Sequence, residues 1–170
     1  MIIREEKRED REKVYNLVKK AFETAEHADG TEQDLVEALR KSNAFIPQLS
    51  LVAEINGEPA GHVMFTKAKS GSCEVLVLAP LSVTPEYQRQ GVGTALVAEG
   101  HRRAEKMGYG YSIVREAKNY YPRFGYVKSS YFGIEVPEGI PQGKILWQFS
   151  LEMMPVCKRK SCLSERIRLV

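Results

Sequence analysis

The stretch Leu81-Ser-Val-Thr-Pro-Glu-Tyr-Gln-Arg-Gln-Gly-Val-Gly-Thr-Ala-Leu96 decides how this chain folds. Upstream of it, Glu74 to Val83 is apolar nearly throughout, the pattern of a central strand covered on both faces. Downstream, a helical pattern runs from about Val92 to Met107 and stops at Gly108, placed for a C′ glycine. The junction carries Gly91 and Gly93, whose missing Cβ atoms let successive backbone N–H groups approach a bound anion. At a helix start those groups also carry the positive end of the dipole, which suits a phosphate or diphosphate, and Arg89 adds a cation. Turn geometry alone is an equally good use of an isolated Gly-x-Gly. A P-loop is excluded, because Thr94-Ala95 stands where a Lys-Ser/Thr pair belongs, and Leu96 takes the third small position of a dinucleotide fingerprint.

Working outward, Met1 to Arg4 reads as a short strand, and Val14, Leu17, Val18, Ala21 and Phe22 mark one face of a helix. Thr31, with Asp34 three residues on, reads as the N-cap of a second helix through Leu35, Val36 and Leu39. Gln48 to Ile55 and Pro59 to Thr66 are β-rich runs joined by Asn56-Gly57, a dipeptide suited to the positive φ angles of a two-residue hairpin. Beyond the long helix, Tyr109 to Val114 reads as a strand, Asn119 to Phe124 as a short helix, and Val127 to Glu135 and Ile145 to Glu152 as closing strands. The order βααβββαβαββ predicts an α/β fold. Its sheet is mostly antiparallel with one parallel pair joined by a right-handed crossover, and helices cover both faces.

With 170 residues, 43% of them hydrophobic and 28% charged, the chain suits a single domain, expected over 1–155 with a basic tail at 156–170. A formal net charge of +3 is too small to imply a nucleic-acid partner. No apolar run has the length to cross a bilayer, and the N-terminus does not resemble a signal peptide, so a soluble cytoplasmic protein is expected. Three cysteines, Cys73, Cys157 and Cys162, fit a reducing compartment. The last two flank Lys158-Arg159-Lys160, but zinc needs two further ligands at suitable spacing, so no metal is expected and the tail reads as solvated. Apolar strips on the closing strands allow a homodimer.

Gln88-Arg-Gln-Gly-Val-Gly93, between an apolar strand and a helix, resembles the Gln/Arg-x-x-Gly-x-Gly/Ala signature of the GNAT superfamily of N-acetyltransferases. Tyr120-Tyr121-Pro-Arg-Phe-Gly125-Tyr126 looks like that family's second aromatic and glycine segment, and together with Ala79-Pro-Leu-Ser-Val83 it is similar to the YhbS-like branch. The resemblance covers about residues 1 to 130. It implies a GNAT-like fold and acetyl-CoA as cosubstrate. The pantetheine arm would lie along a splayed strand end at Leu81, Ser82 and Val83, with the Val83 N–H as oxyanion donor. The diphosphate would sit on the amides of Gln90, Gly91, Val92, Gly93 and Thr94, flanked by Arg89. Tyr121 would protonate the leaving thiolate; Asn119 would touch pantetheine or merely cap a helix. The general base stays open among Glu26, His27, Glu32, Glu74 and Glu116, while His62 and His101 read as structural. The acidic run Glu23 to Asp34 would border the acceptor site or simply be solvated. The expected reaction is direct transfer, within a ternary complex, to a primary amine of a small molecule. A non-catalytic acyl-CoA sensor is the alternative, and a nucleic-acid module resting only on the tail ranks last.

Overall fold

The structure, a computed structural model, describes residues 1–23, 25, 28–70, 73–115, 120–128, 146–150 and 167–168. The chain divides into two compact units, Met1–Thr66 with Ala79–Arg103 and Lys67–Leu78 with Ala104–Val170.

In the first unit, β1 (Ile2–Glu5), β2 (Phe45–Ile55) and the beginning of β3 (Glu58–Ser70) form an antiparallel ladder. Ile2 faces Glu54 and Leu51 faces Val63. The β2–β3 turn is the expected hairpin: Ile55 pairs with Glu58, and Asn56 and Gly57 adopt φ of +54° and +81°. Both central residues need positive φ in this turn, which is why the Asn-Gly dipeptide announces it. Helices α1 (Arg11–Phe22) and α2 (Glu32–Arg40) cover one face, where Val14, Leu17, Val18 and Val36 close a core with Val52 of β2 and Met64 of β3. Helix α3 (Val92–Lys106) covers the other face. There a Cβ on Gly100 would lie 2.3 Å from Phe65 Cε2, so only glycine permits this approach.

Thr31 precedes α2, but it does not cap as expected. Its hydroxyl donates to the Asp29 carboxylate, and its carbonyl, rather than its side chain, receives the amides of Asp34 and Leu35 at 2.9 Å. Thr31 sits at φ −113°, ψ 5°, away from the extended conformation that aims a cap oxygen at the helix amides, and its hydroxyl is turned towards Asp29 instead.

In the second unit, Leu76–Leu78 of β4 (Cys73–Val83) pair in parallel with Ser112–Val114 of β5 (Tyr111–Arg115). Strand β5 pairs antiparallel with β7 (Leu146–Ser150), which pairs with β6 (Val127–Lys128). Strands β3 and β4 contribute residues to both units and are neighbours in the sheet. Mixed pairing of this kind, with helices packed on the strands, is the architecture the element order predicts. Gly108, at φ +85°, ends α3 with a Schellman pair, Tyr109 N–H to Ala104 O at 3.0 Å and Gly108 N–H to Glu105 O at 2.9 Å. Within the stretch expected as a solvated tail, Ile167–Arg168 form β8 and pair with Lys69–Ser70 of β3.

Candidate active site

The junction after β4 is built from local hydrogen bonds. The Thr84 amide donates to Ala60 O at 3.0 Å, anchoring the strand end to β3. A 3-10 turn, Pro85–Tyr87, follows, with the Tyr87 amide on Thr84 O at 2.9 Å. Two glutamine side chains brace it: Gln88 Nε2 donates to Val83 O at 3.1 Å, and Gln90 Nε2 donates to Glu86 O at 2.7 Å. Lys20 of α1 pairs with Glu86 and holds that carboxyl below its ordinary range.

Arg89 and Gly91 both take left-handed conformations, φ +59° and +86°. For arginine this costs roughly 1–2 kcal/mol, a strain of the kind that collects at functional sites. Among the described residues, no backbone hydrogen bond starts from an amide between Arg89 and Thr94; the first used is that of Ala95, on Gly91 O at 2.9 Å. A helix of 15 residues thus begins with a run of unengaged donors beside an exposed arginine. This donor set fits an anionic diphosphate. The first turn of α3 is seated by Val92 and Leu96, 3% and 0% exposed, which close over Gly61 of β3.

Leu81, Ser82 and Val83 end β4 in the first unit together with this loop, and the Ser82 side chain is buried. Tyr121 belongs to the second unit, in a 3-10 turn (Tyr121–Phe124) closed by Gly125 at φ +82°. Its ring meets those of Tyr120 and Tyr126 edge-on, with centroids 5.3 and 5.5 Å away. Tyr126 is held in turn by Ser112 Oγ at 2.9 Å. Burial first, then the neighbouring phenols, pushes the Tyr121 phenol above its ordinary value, so it stays a protonated donor across the neutral range. Arg123 stacks over Tyr120, 4.6 Å from its centroid.

Of the expected bases, Glu32 receives the Asp29 amide on Oε1 at 3.0 Å, while its Oε2 is buried without a partner among the described residues. Glu74 is exposed and receives the Tyr109 hydroxyl at 3.0 Å. Glu26, His27, Glu116 and Asn119 lie outside the described residues. His101 packs against Phe65 at 5.7 Å between ring centroids, and burial pushes it down to about 4, which keeps it neutral. The bracing by Gln88, the close approach at Gly61 and the left-handed Arg89 were not read from the sequence; only Gly61, a lone glycine within a strand, carried a signal.

No group of three or more His, Cys, Asp or Glu among the described residues is placed to hold a metal, and no helix among them is long and apolar enough to cross a membrane.

The sheet is mixed, and its central strand runs into a helix start whose first amides have no backbone partner among the described residues. The chain belongs to the Acetyltransferase (GNAT) family, whose model matches residues 11–126, and it is an N-acetyltransferase by class. It is 36% identical over 141 residues to the uncharacterized N-acetyltransferase YjhQ of Escherichia coli (strain K12), covering 79% of this chain and 78% of that protein. A GNAT family acetyltransferase from Brucella melitensis, solved in complex with acetyl-CoA, matches with a TM-score of 0.74 and 27% identity over 91% of this chain and 90% of that one. The E. coli GNAT family N-acetyltransferase YhbS, solved in complex with CoA, shares the fold at a TM-score of 0.82, with 22% identity over 98% of this chain and 87% of that one.

Proposed function

We propose that the protein transfers the acetyl group of acetyl-CoA to a primary amine of a small cytoplasmic molecule, directly and within a ternary complex. The observation that carries this reading is the run of amides from Gln90 to Thr94, unengaged at the start of α3 with Arg89 beside it. The diphosphate of the cosubstrate meets these amides, and the pantetheine arm extends along the backbone of Leu81 to Val83. The Val83 N–H receives the developing oxyanion. Tyr121, kept protonated by its surroundings, gives its proton to the thiolate as the C–S bond breaks. Asn119 is assigned to the pantetheine side of the same site.

The test is incubation of the protein with acetyl-CoA and a panel of small primary amines, following thiol release. Amine-dependent release with intersecting initial-velocity patterns is expected. Ping-pong patterns contradict direct transfer, and tight acetyl-CoA binding without release from any amine contradicts the enzymatic reading.

A further inference from the structure

The turn that carries Tyr121 is tied to the sheet through a buried pair of hydroxyls. The Gly125 amide closes the turn on Pro122 O at 3.0 Å, and Gly125, at φ +82°, reverses the chain so that Tyr126 comes back beside Tyr121. Tyr126 stands immediately before β6, yet its hydroxyl meets Ser112 Oγ of β5 at 2.9 Å, although β7 lies between those two strands in the sheet. Tyr126 is 1% exposed and Ser112 0%.

The Tyr121 ring has three aromatic neighbours. It meets Tyr120 and Tyr126 edge-on, at interplanar angles of 86° and 65°, and Phe124 at a tilt, 6.5 Å between centroids. Tyr120 and Phe124 are half-buried and move with the turn, whereas Tyr126 is fixed to a strand. Packing at position 126 needs only a ring, which phenylalanine supplies without a buried hydroxyl to satisfy. What the hydroxyl pair adds is direction. A hydrogen bond weakens steeply away from its preferred angle, so the Ser112 contact holds the Tyr126 ring in one orientation, and the edge-on contact passes that orientation to Tyr121. A proton donor depends on such aim, because it must come within hydrogen-bond reach of the atom it protonates, and a misplacement of about 1 Å costs up to about a hundredfold in rate.

We propose that Tyr126, held by Ser112, is a positioning residue for acetyl transfer: it aims the Tyr121 phenol at the departing thiolate. The inference rests on the acetyl-transfer reading above, in which Tyr121 is the proton donor. In that step the C–S bond breaks with its electron pair going to sulfur, and sulfur takes the Tyr121 proton. The phenolate is restored, by way of solvent, by the surplus proton that the amine nitrogen sheds when the C–N bond forms. The Ser112–Tyr126 pair gives and takes no proton. It acts only through the ring it orients.

Tyr126→Phe and Ser112→Ala each break the hydroxyl contact and leave every ring in place. Thiol release from acetyl-CoA is followed with the fastest amine of the panel above, for each variant alone and in a Tyr121→Phe background, beside Tm and acetyl-CoA binding by calorimetry. Alone, each variant is expected to lower kcat about tenfold at unchanged Kd for acetyl-CoA. With phenylalanine at position 121, neither lowers kcat further, because the group they aim is gone. The double variant Tyr126→Phe with Ser112→Ala removes both hydroxyls at once, so its Tm recovers while its kcat stays low. A wild-type kcat in both single variants, an equal fold-loss with and without the Tyr121 hydroxyl, or a kcat that recovers together with Tm in the double variant overturns the proposal. A wild-type kcat in Tyr121→Phe refutes the proton-donor role itself, and wild-type protein that binds acetyl-CoA but acetylates no amine refutes the acetyl-transfer reading and takes this inference with it.

Discussion

Replacing Gly61 with alanine asks whether the seat of α3 governs the loop from Arg89 to Thr94, proposed above to hold the diphosphate. The new Cβ would lie 2.9 Å from Leu96 Cδ1, 3.0 Å from Val92 Cγ1 and 3.2 Å from Ser82 O. Carbon pairs prefer about 3.5–4.0 Å, so both apolar contacts are short by roughly 0.5–1 Å. Leu96 and Val92 have little room to yield, at 0% and 3% exposed, and the carbonyl is backbone. Overpacking of this kind costs about 1–3 kcal/mol, against roughly 0.4–1 kcal/mol gained by stiffening the unfolded chain. The net loss is about 1–2 kcal/mol, or a fall of about 2–8 °C in Tm for a chain of this size. Because Val92 opens the helix, the amides move with it. Weakening one hydrogen bond to a charged oxygen by about 1.4 kcal/mol raises the Kd for CoA about tenfold. Calorimetry of CoA binding beside a thermal melt reads both quantities. An alanine variant with unchanged Tm and unchanged Kd refutes the claim that close packing at Gly61 positions the loop.

Three further outcomes are expected. Tyr121→Phe lowers kcat by about a hundredfold at unchanged CoA affinity if its phenol is the proton donor; an unchanged kcat removes it from the mechanism. Burial opposes ionisation of Glu6, but the His62 imidazole, the Ser50 hydroxyl and the Arg40 guanidinium outweigh it and hold the carboxyl at about 2 against the ordinary 4.5. Being depressed in the folded state, this group contributes stability that is complete above about pH 4.5 and is lost as pH falls through about 2, with about 2 kcal/mol gone by about pH 3. A urea midpoint that stays constant between about pH 5 and about pH 3 contradicts it. Arg89→Gln weakens CoA binding about two- to fivefold at low salt, and the difference fades at high salt; a salt-independent difference means the arginine acts through loop shape instead.

What was legible in the sequence depended on short-range chemistry. Asn56-Gly57, the Gly108 C-terminus and the passage from an apolar strand into Gly91-Val-Gly93 are each decided by a few adjacent residues whose backbone preferences leave little choice. The Thr31 cap failed because the residue leaves the extended conformation and its hydroxyl turns towards Asp29, and sequence pattern alone fixes neither. The left-handed Arg89 carries no signal, since arginine has no preference for that conformation. The buried polar cluster of Glu6, Ser50 and His62 was the least legible feature. Its members lie on three separate segments, and His62 by itself reads as a core histidine of a strand. Only strand register brings them onto one face.

Hydrogen exchange at the backbone amides of Gln90 to Thr94, with and without CoA, tests the central claim most directly. Strong protection of these amides on CoA addition, absent with dephosphorylated pantetheine, is the predicted result. CoA that binds while leaving their exchange unchanged contradicts the account.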